Sequence, residues 1–301
     1  AADGTGNGGD GGAVMIFVDA SGYVSTTTGL PAPAAQRLSL VGYAALDVSG
    51  DTGNTGGSGG MLLIENNGDR WDSGGAVFVD DPSGDVINEA ALTARGGSVA
   101  TDATVLPAVG GAGGSVTLQG DVETTEVSVS AEQITNSGTI DCSGGDSLAL
   151  TAYPGDNGGI IELRTTNDVN NDAALISRGG SDMVDDDTLT TGFGHGGAVT
   201  LNLESLQGSV FNTGNIEADG GSGEARGGDG STTVRLGSVQ VVNSGDISAS
   251  GGDSDPSLVG SIGGNGGAIT FVDVDTPDQT ATLDVAGGSG ETPGTDGTIT
   301  P

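Results

Sequence analysis

With 60 glycines in 301 residues, 3% aromatic and 34% hydrophobic residues, the chain has too few large side chains for a conventional globular core. Its 41 acidic and 7 basic residues, every basic one an arginine, give a formal net charge of -34, which excludes nucleic acid and anionic membrane surfaces as partners. A lone cysteine excludes an intrachain disulfide, and no apolar run reaches the roughly 18–20 residues of a membrane-spanning helix.

The chain opens on Ala1-Ala2-Asp3, as the mature part of a signal-cleaved protein does, and with the charge and the repeats this leads us to expect secretion. A strand is expected at Val14-Met15-Ile16. A unit of the form Asn-x-[Gly/Ala]-x-[Leu/Ile]-x-small-x-Gly then recurs seven times. Its first copy is degenerate, running from Gly42 to Leu46-Asp47-Val48, and the next strand is expected at Val77-Phe78-Val79. Fuller copies follow from Asn88, Asn136, Asn171, Asn212 and Asn243, with strands between them at Val116–Leu118, Ile161–Leu163, Val199–Leu201, Val234–Leu236 and Ile269–Phe271. The last copy is again degenerate, from Gln279 to Leu283-Asp284-Val285, and a final strand is expected around Ile299.

Read down the copies, these units form columns. One runs Leu46, Leu92, Ile140, Leu175, Ile216, Ile247, Leu283; two residues on, all are small: Val48, Ala94, Cys142, Ser177, Ala218, Ala249, Val285. Residues i and i+2 of a strand share a face, so both columns point into one interior. A third apolar column, Leu40, Val86, Ile134, Val169, Val210, Val241, is broken at Pro277. Unit length varies, from 31 residues between Ile216 and Ile247 to 46 between Leu46 and Leu92, and the variation sits in Gly, Ser and Asp segments that read as extruded loops.

The expected fold is therefore all-β: one single-stranded parallel β-solenoid domain over 1–301, of about eight coils with extruded Gly/Asp-rich loops. At about 4.8 Å per coil it would be on the order of 40 Å long. Asn88, Asn136, Asn171, Asn212 and Asn243 are expected to stack as an amide ladder. The Gly pairs are expected to supply positive φ at corners where a Cβ would clash. In its Asn-x-Gly-x-Ile units the chain resembles the parallel β-helices of filamentous-haemagglutinin and autotransporter-passenger type. That resemblance implies the fold but spans adhesins, fibres, passenger domains and polysaccharide lyases.

Ala2-Asp3-Gly4 aligns with Ala218-Asp219-Gly220, so the first unit begins partway through, and Pro301 falls inside a strand with no capping sequence after it. Open solenoid ends are adhesive edges, and the expectation is a homopolymer that grows head to tail through a heterologous interface. Alternatives are an adhesin or carbohydrate-binding β-helix and, less favoured, a polysaccharide lyase.

Few residues suggest chemistry. His195 sits in a glycine loop with no nucleophile motif around it, so an exposed loop histidine is expected. Cys142 falls in the small interior column and reads as packing. Arg95 and Arg178 share a unit position; a lyase of this fold uses such a residue beside a calcium-binding carboxylate cluster, but salt bridges to neighbouring carboxylates are the favoured reading. Asp182 with Asp185, Asp186 and Asp187 is the candidate calcium site, weighed against solvated loop carboxylates; Asp80, Asp81 and Asp85, and Asp253 with Asp255, are lesser clusters. Trp71, Tyr23, Tyr43 and Tyr153 are the residues that would stack on glycans. No catalytic residue and no required cofactor is expected; divalent cations, calcium among them, and glycans are the other partners considered.

Overall fold

A computed structural model describes residues 9–19, 38–40, 45–53, 55–67, 86–99, 110–119, 133–147, 155–165, 167–181, 194–201, 208–272 and 277–301. Among these residues there is no helix, and the strands lie in three parallel sheets in which consecutive units stack in register, the arrangement of a parallel β-solenoid. The first sheet has eight strands, from Ala13–Asp19 and Met61–Asn67 through to Thr298–Thr300. The second has seven, from Leu38–Leu40 to Asp278–Gln279, and the third seven, from Leu46–Asp47 to Leu283–Asp284.

The interior follows the period-two alternation. Val14, Leu62, Val116, Ile161, Val199, Val234 and Ile269 stack along the first sheet. The Leu/Ile column stacks without interruption along the third, from Leu46 to Leu283. From Leu62 to Ile269 these side chains are buried, and those of the outer coils pack partly buried against them. Each fully buried Leu, Ile or Val contributes on the order of 2 kcal/mol by removal from water.

The small column has a second duty. Its carbonyls accept the N–H of the glycine that begins the next pass through the first sheet: Gly60 to Val48 and Gly159 to Cys142, both at 2.7 Å, and Gly114 to Ala94 at 2.6 Å. Every such bond closes a coil on itself. A bulky side chain here would hold the incoming backbone away, which is why the column is Ala, Ser, Cys or Val.

The amide ladder forms at the turn between the second and third sheets. Nδ2 of Asn88, Asn136, Asn171 and Asn212 donates to Oδ1 of the next asparagine at 2.7, 2.7, 2.7 and 2.6 Å. Gln279 continues it, accepting from Asn243 at 2.6 Å. The second proton of Asn88, Asn171, Asn212 and Asn243 goes to a carbonyl two residues on, at 2.8–3.0 Å. These asparagines are buried with their donors satisfied, so the ladder avoids the penalty of unpaired polar groups.

Three expectations need correction. The strand of the second coil is Met61–Asn67, with Leu62 pairing Val116 and Ile64 pairing Leu118; Val77-Phe78-Val79 lies outside the described residues. Gly59-Gly60 before Met61 matches Gly113-Gly114 before Ser115, and it is this pair that leads the chain into the first sheet. Leu40 does not share a column with Val86: Leu38 pairs with Val86 and Leu40 with Asn88. The turn from second to third sheet spans 40 to 46 in the first coil but only 88 to 92 in the next, so counting back from Leu46 misaligned it.

The third correction concerns glycine. Among the described residues only Gly260 has a left-handed φ, 86°. The repeated Gly pairs are required by space. A Cβ on Gly145, Gly180, Gly221 or Gly252 would lie 2.0 Å from the carbonyl oxygen of the equivalent glycine one coil earlier. A Cβ on Gly96 would lie 1.7 Å from the Gly111 oxygen, where the loop returns to its own coil. Outgoing and incoming backbones thus meet at a glycine-walled neck between the third sheet and the first. Their peptides interleave there: Gly97 N–H donates to Gly57, Gly111 to Gly97 and Gly145 to Gly111, at 2.7–2.8 Å, and the pattern recurs from Gly221 to Gly294.

Candidate functional site

Polar side chains on both flanks of the neck accept N–H groups from the coil above. On the outgoing flank, Ser98 Oγ accepts from Asp146 at 3.2 Å, Asp146 Oδ1 from Ser181 at 2.8 Å, Ser181 Oγ from Ser222 at 3.2 Å, Ser222 Oγ from Asp253 at 3.3 Å, and Asp253 Oδ1 from Ser289 at 2.7 Å. On the incoming flank, Asn157 Oδ1 accepts from His195 at 2.8 Å, His195 Nδ1 from Asp229 at 3.0 Å, Asp229 Oδ1 from Asn265 at 2.8 Å, and Asn265 Oδ1 from Thr295 at 3.1 Å. Where the backbone leaves extended geometry, a short side chain supplies the missing acceptor. These two staircases escape a reading of the sequence because Asp, Ser, Asn, His and Thr share an acceptor atom but no letter.

This assigns roles to several candidate residues. His195 is a half-exposed rung whose Nδ1 accepts the Asp229 N–H; the Asp229 carboxylate lies 3.8 Å away. Arg95 and Arg178 each reach the next coil: Arg95 Nε is 3.6 Å from Asp141, and Arg178 pairs with Glu217. Cys142 is fully buried, and that burial, with the Asp141 charge beside it, pushes its thiol far up. Asp253 and Asp255 do not converge, since Asp253 holds Ser289 while Asp255 holds the N–H and hydroxyl of Ser257 at 2.8 and 2.7 Å. Those two bonds hold the Asp255 carboxyl below its ordinary range.

Among the described residues no group of three or more His, Cys, Asp or Glu side chains is placed to hold a metal ion. The calcium candidates Asp182, Asp185, Asp186 and Asp187 lie outside the described residues, as do Asp80, Asp81, Asp85, Trp71, Tyr23, Tyr43 and Tyr153.

One concave feature of the described surface is an open trench of about 600 Å3 across the first four coils, where the Gly pairs enter the first sheet. Its floor includes Gly12, Gly60, Gly114 and Gly159, and its wall is Ala13, Met61, Ser115 and Ile160. No ionisable side chain lines it. Of the lining amides, Gly11 donates to Ser58, Gly59 to Ala112 and Gly113 to Asn157. Beside the wall stand Met15, 52% exposed, and Leu63; Ile160 is 46% exposed. Such a surface can bind an apolar, uncharged partner, and it offers no group for proton transfer. The sequence does carry a signal of it: Val14–Val18 and Met61–Ile64 are continuous apolar runs, the pattern of strands covered on both faces.

Compared with models of protein families, with curated proteins and with solved structures, the chain matches none.

Proposed function

We propose that this chain is a structural extracellular protein, the subunit of a fibre or cell-surface appendage that grows by adding coil upon coil, head to tail. The supporting observation is the sameness of the coil-to-coil interface: one amide ladder, one glycine neck and one Leu/Ile column recur through the described coils. A coil face of this kind is complementary to any other of its kind, which is the property a head-to-tail polymer needs. In this reading the chain is not an enzyme, requires no cofactor, and belongs with β-helices of filamentous-haemagglutinin or autotransporter type. Pairing of Arg95 and Arg178 with carboxylates favours it over a lyase, whose arginine must be free to take a proton.

The test is negative-stain electron microscopy with sedimentation velocity on the purified chain, in molar salt that screens its charge. Filaments about one solenoid wide are expected. A chain that stays monomeric at high concentration in that salt overturns the proposal.

A further inference from the structure

We infer that the Asp255–Pro256 bond is a self-cleavage site, at which the Asp255 carboxylate severs its own peptide in mildly acidic solution. The loop that carries it runs from Gly252 to Gly263, with Asp255, Pro256 and Ser257 exposed. Both of its limbs are tied to the coil below, by Asp255 N–H to the Glu224 carbonyl at 2.9 Å and Ile262 N–H to Ala225 at 3.0 Å.

Three features converge on that bond. Oδ1 of Asp255 takes both the N–H and the hydroxyl of Ser257, which anchors the carboxylate next to the peptide and leaves Oδ2 to react. The Asp255 carbonyl oxygen accepts from Ser261 Oγ at 2.6 Å and from the Leu258 N–H at 3.2 Å. Ser261 is 1% exposed, and its oxygen accepts the Glu291 N–H of the next coil at 2.9 Å, so its own proton is directed at the Asp255 carbonyl. Pro256 makes the peptide a tertiary amide, with no N–H to hold the nitrogen in place.

The chemistry closes on water alone. Oδ2 attacks the Asp255 carbonyl carbon and forms a cyclic anhydride; the bond from that carbon to the Pro256 nitrogen breaks, and the nitrogen takes a proton from solvent and leaves as a new amino terminus. Water then opens the anhydride, leaving Asp255 as a carboxyl terminus. Covalent attack by a carboxylate divides one difficult hydrolysis into two easier steps. Negative charge develops on the carbonyl oxygen in the first step, where Ser261 and Leu258 already donate.

Attack needs an ionised carboxylate, whereas departure of the nitrogen needs a proton. The Ser257 bonds hold the Asp255 carboxyl below its ordinary range and so keep both conditions met further into acid. Cleavage should therefore quicken as pH falls and level off once the folded carboxyl protonates. The other acidic residues that touch this loop are engaged elsewhere: Asp253 Oδ1 holds Ser289, the Glu291 carboxylate accepts from the Gly260 N–H, and Glu224 meets Asp255 through its backbone carbonyl. A nick here leaves one particle, because the sheets still join the coils on either side, Val234 pairing with Ile269 and Ile247 with Leu283.

The test incubates the whole chain at the lowest pH that leaves its far-UV circular dichroism native, beside the same chain in concentrated guanidinium at that pH. Intact-mass spectrometry follows the fragments 1–255 and 256–301; the other Asp-Pro bond of the sequence, Asp81–Pro82, yields fragments of different mass. The expected result is cleavage after Asp255 about tenfold or more faster in the folded chain than in the denatured one. Equal or slower cleavage in the folded chain overturns the inference. Asp255→Glu, at an exposed position, lengthens the ring that must close and should cleave no faster than the denatured parent; a folded Glu variant with the parental rate overturns carboxylate attack. Ser261→Ala should lose most of the acceleration, and a natively folded Ala variant that keeps it overturns the part given to the buried hydroxyl.

Discussion

Nδ2 of Asn171 donates to Oδ1 of Asn212 at 2.7 Å, and its own Oδ1 accepts from Asn136 at the same distance. One side chain therefore satisfies two neighbours, both buried.

Replacing Asn171 with Ala leaves the Asn136 amide without its acceptor and the Asn212 oxygen without its donor. At about 1–3 kcal/mol for each of the two stranded groups, the loss is about 2–6 kcal/mol. Gln279→Ala, at the last described rung, strands one ladder partner, Asn243, and costs about 1–3 kcal/mol. Urea midpoints of the two variants against the parent check the order; equal losses would mean that the ladder does not act as a chain of shared bonds.

The neck gives a contrast between two glycines. Gly180→Ala drives a Cβ to 2.0 Å from the Gly145 carbonyl, whereas a Cβ on Gly12 meets nothing within 4 Å. Overpacking backbone against backbone should cost Gly180→Ala about 3 kcal/mol or more, while Gly12→Ala stays within about 0.5 kcal/mol of the parent. Thermal melts suffice to compare them. A mild Gly180→Ala would show that the neck backbones can part to admit a Cβ.

Cys142 yields a pH dependence on the alkaline side. Burial first, then the Asp141 charge, raises its thiol pKa in the folded chain. The unfolded thiol ionises near pH 8.5 and the folded one does not, so unfolding releases a proton above that pH. Stability should fall by about 1.4 kcal/mol per pH unit from roughly pH 8.5 upward. Cys142→Ala should remove that slope, and native Cys142 should resist iodoacetamide until the chain unfolds.

On the acid side, the Ser49 hydroxyl, followed by the Ser49 N–H, holds the Asp47 carboxyl below its ordinary range. The stabilisation is present above the unfolded pKa of about 3.9 and lost as pH falls through the lower folded value. Ser49→Ala removes the larger cause and should move the Asp47 titration upward, read by carboxyl-carbon NMR. An unmoved titration would assign the effect to the backbone N–H.

Sequence alone reveals what recurs in kind. The Leu/Ile and small columns and the asparagines are each filled by near-identical residues at one unit position, and the structure stacks them as expected. It misleads where two signals compete. Met61–Ile64 and Val77–Val79 both follow a Gly pair within one 46-residue coil, Gly59-Gly60 and Gly74-Gly75, so no local signal separates them. The role of the Gly pairs was itself misjudged, because glycine is required equally by a left-handed φ and by a backbone passing within 2 Å of its missing Cβ. Met15, exposed beside the trench, and Met61 in its wall are outward positions, on which the inward columns of a strand carry no information.

The glycine neck has a further consequence for how this protein can change. An insertion between the third sheet and the first leaves and returns through one closed gate, so the core does not fix its length. The 13 residues from 98 to 110 and the six from 222 to 227 meet the same floor. A foreign epitope or enzyme grafted between Val99 and Gly110, which keeps the Ser98 rung and the buried Val99, would hang from the neck of a known coil, with neighbouring grafts held at fixed intervals along the axis. The molecule is in this sense a ruler on which cargo can be hung at chosen marks.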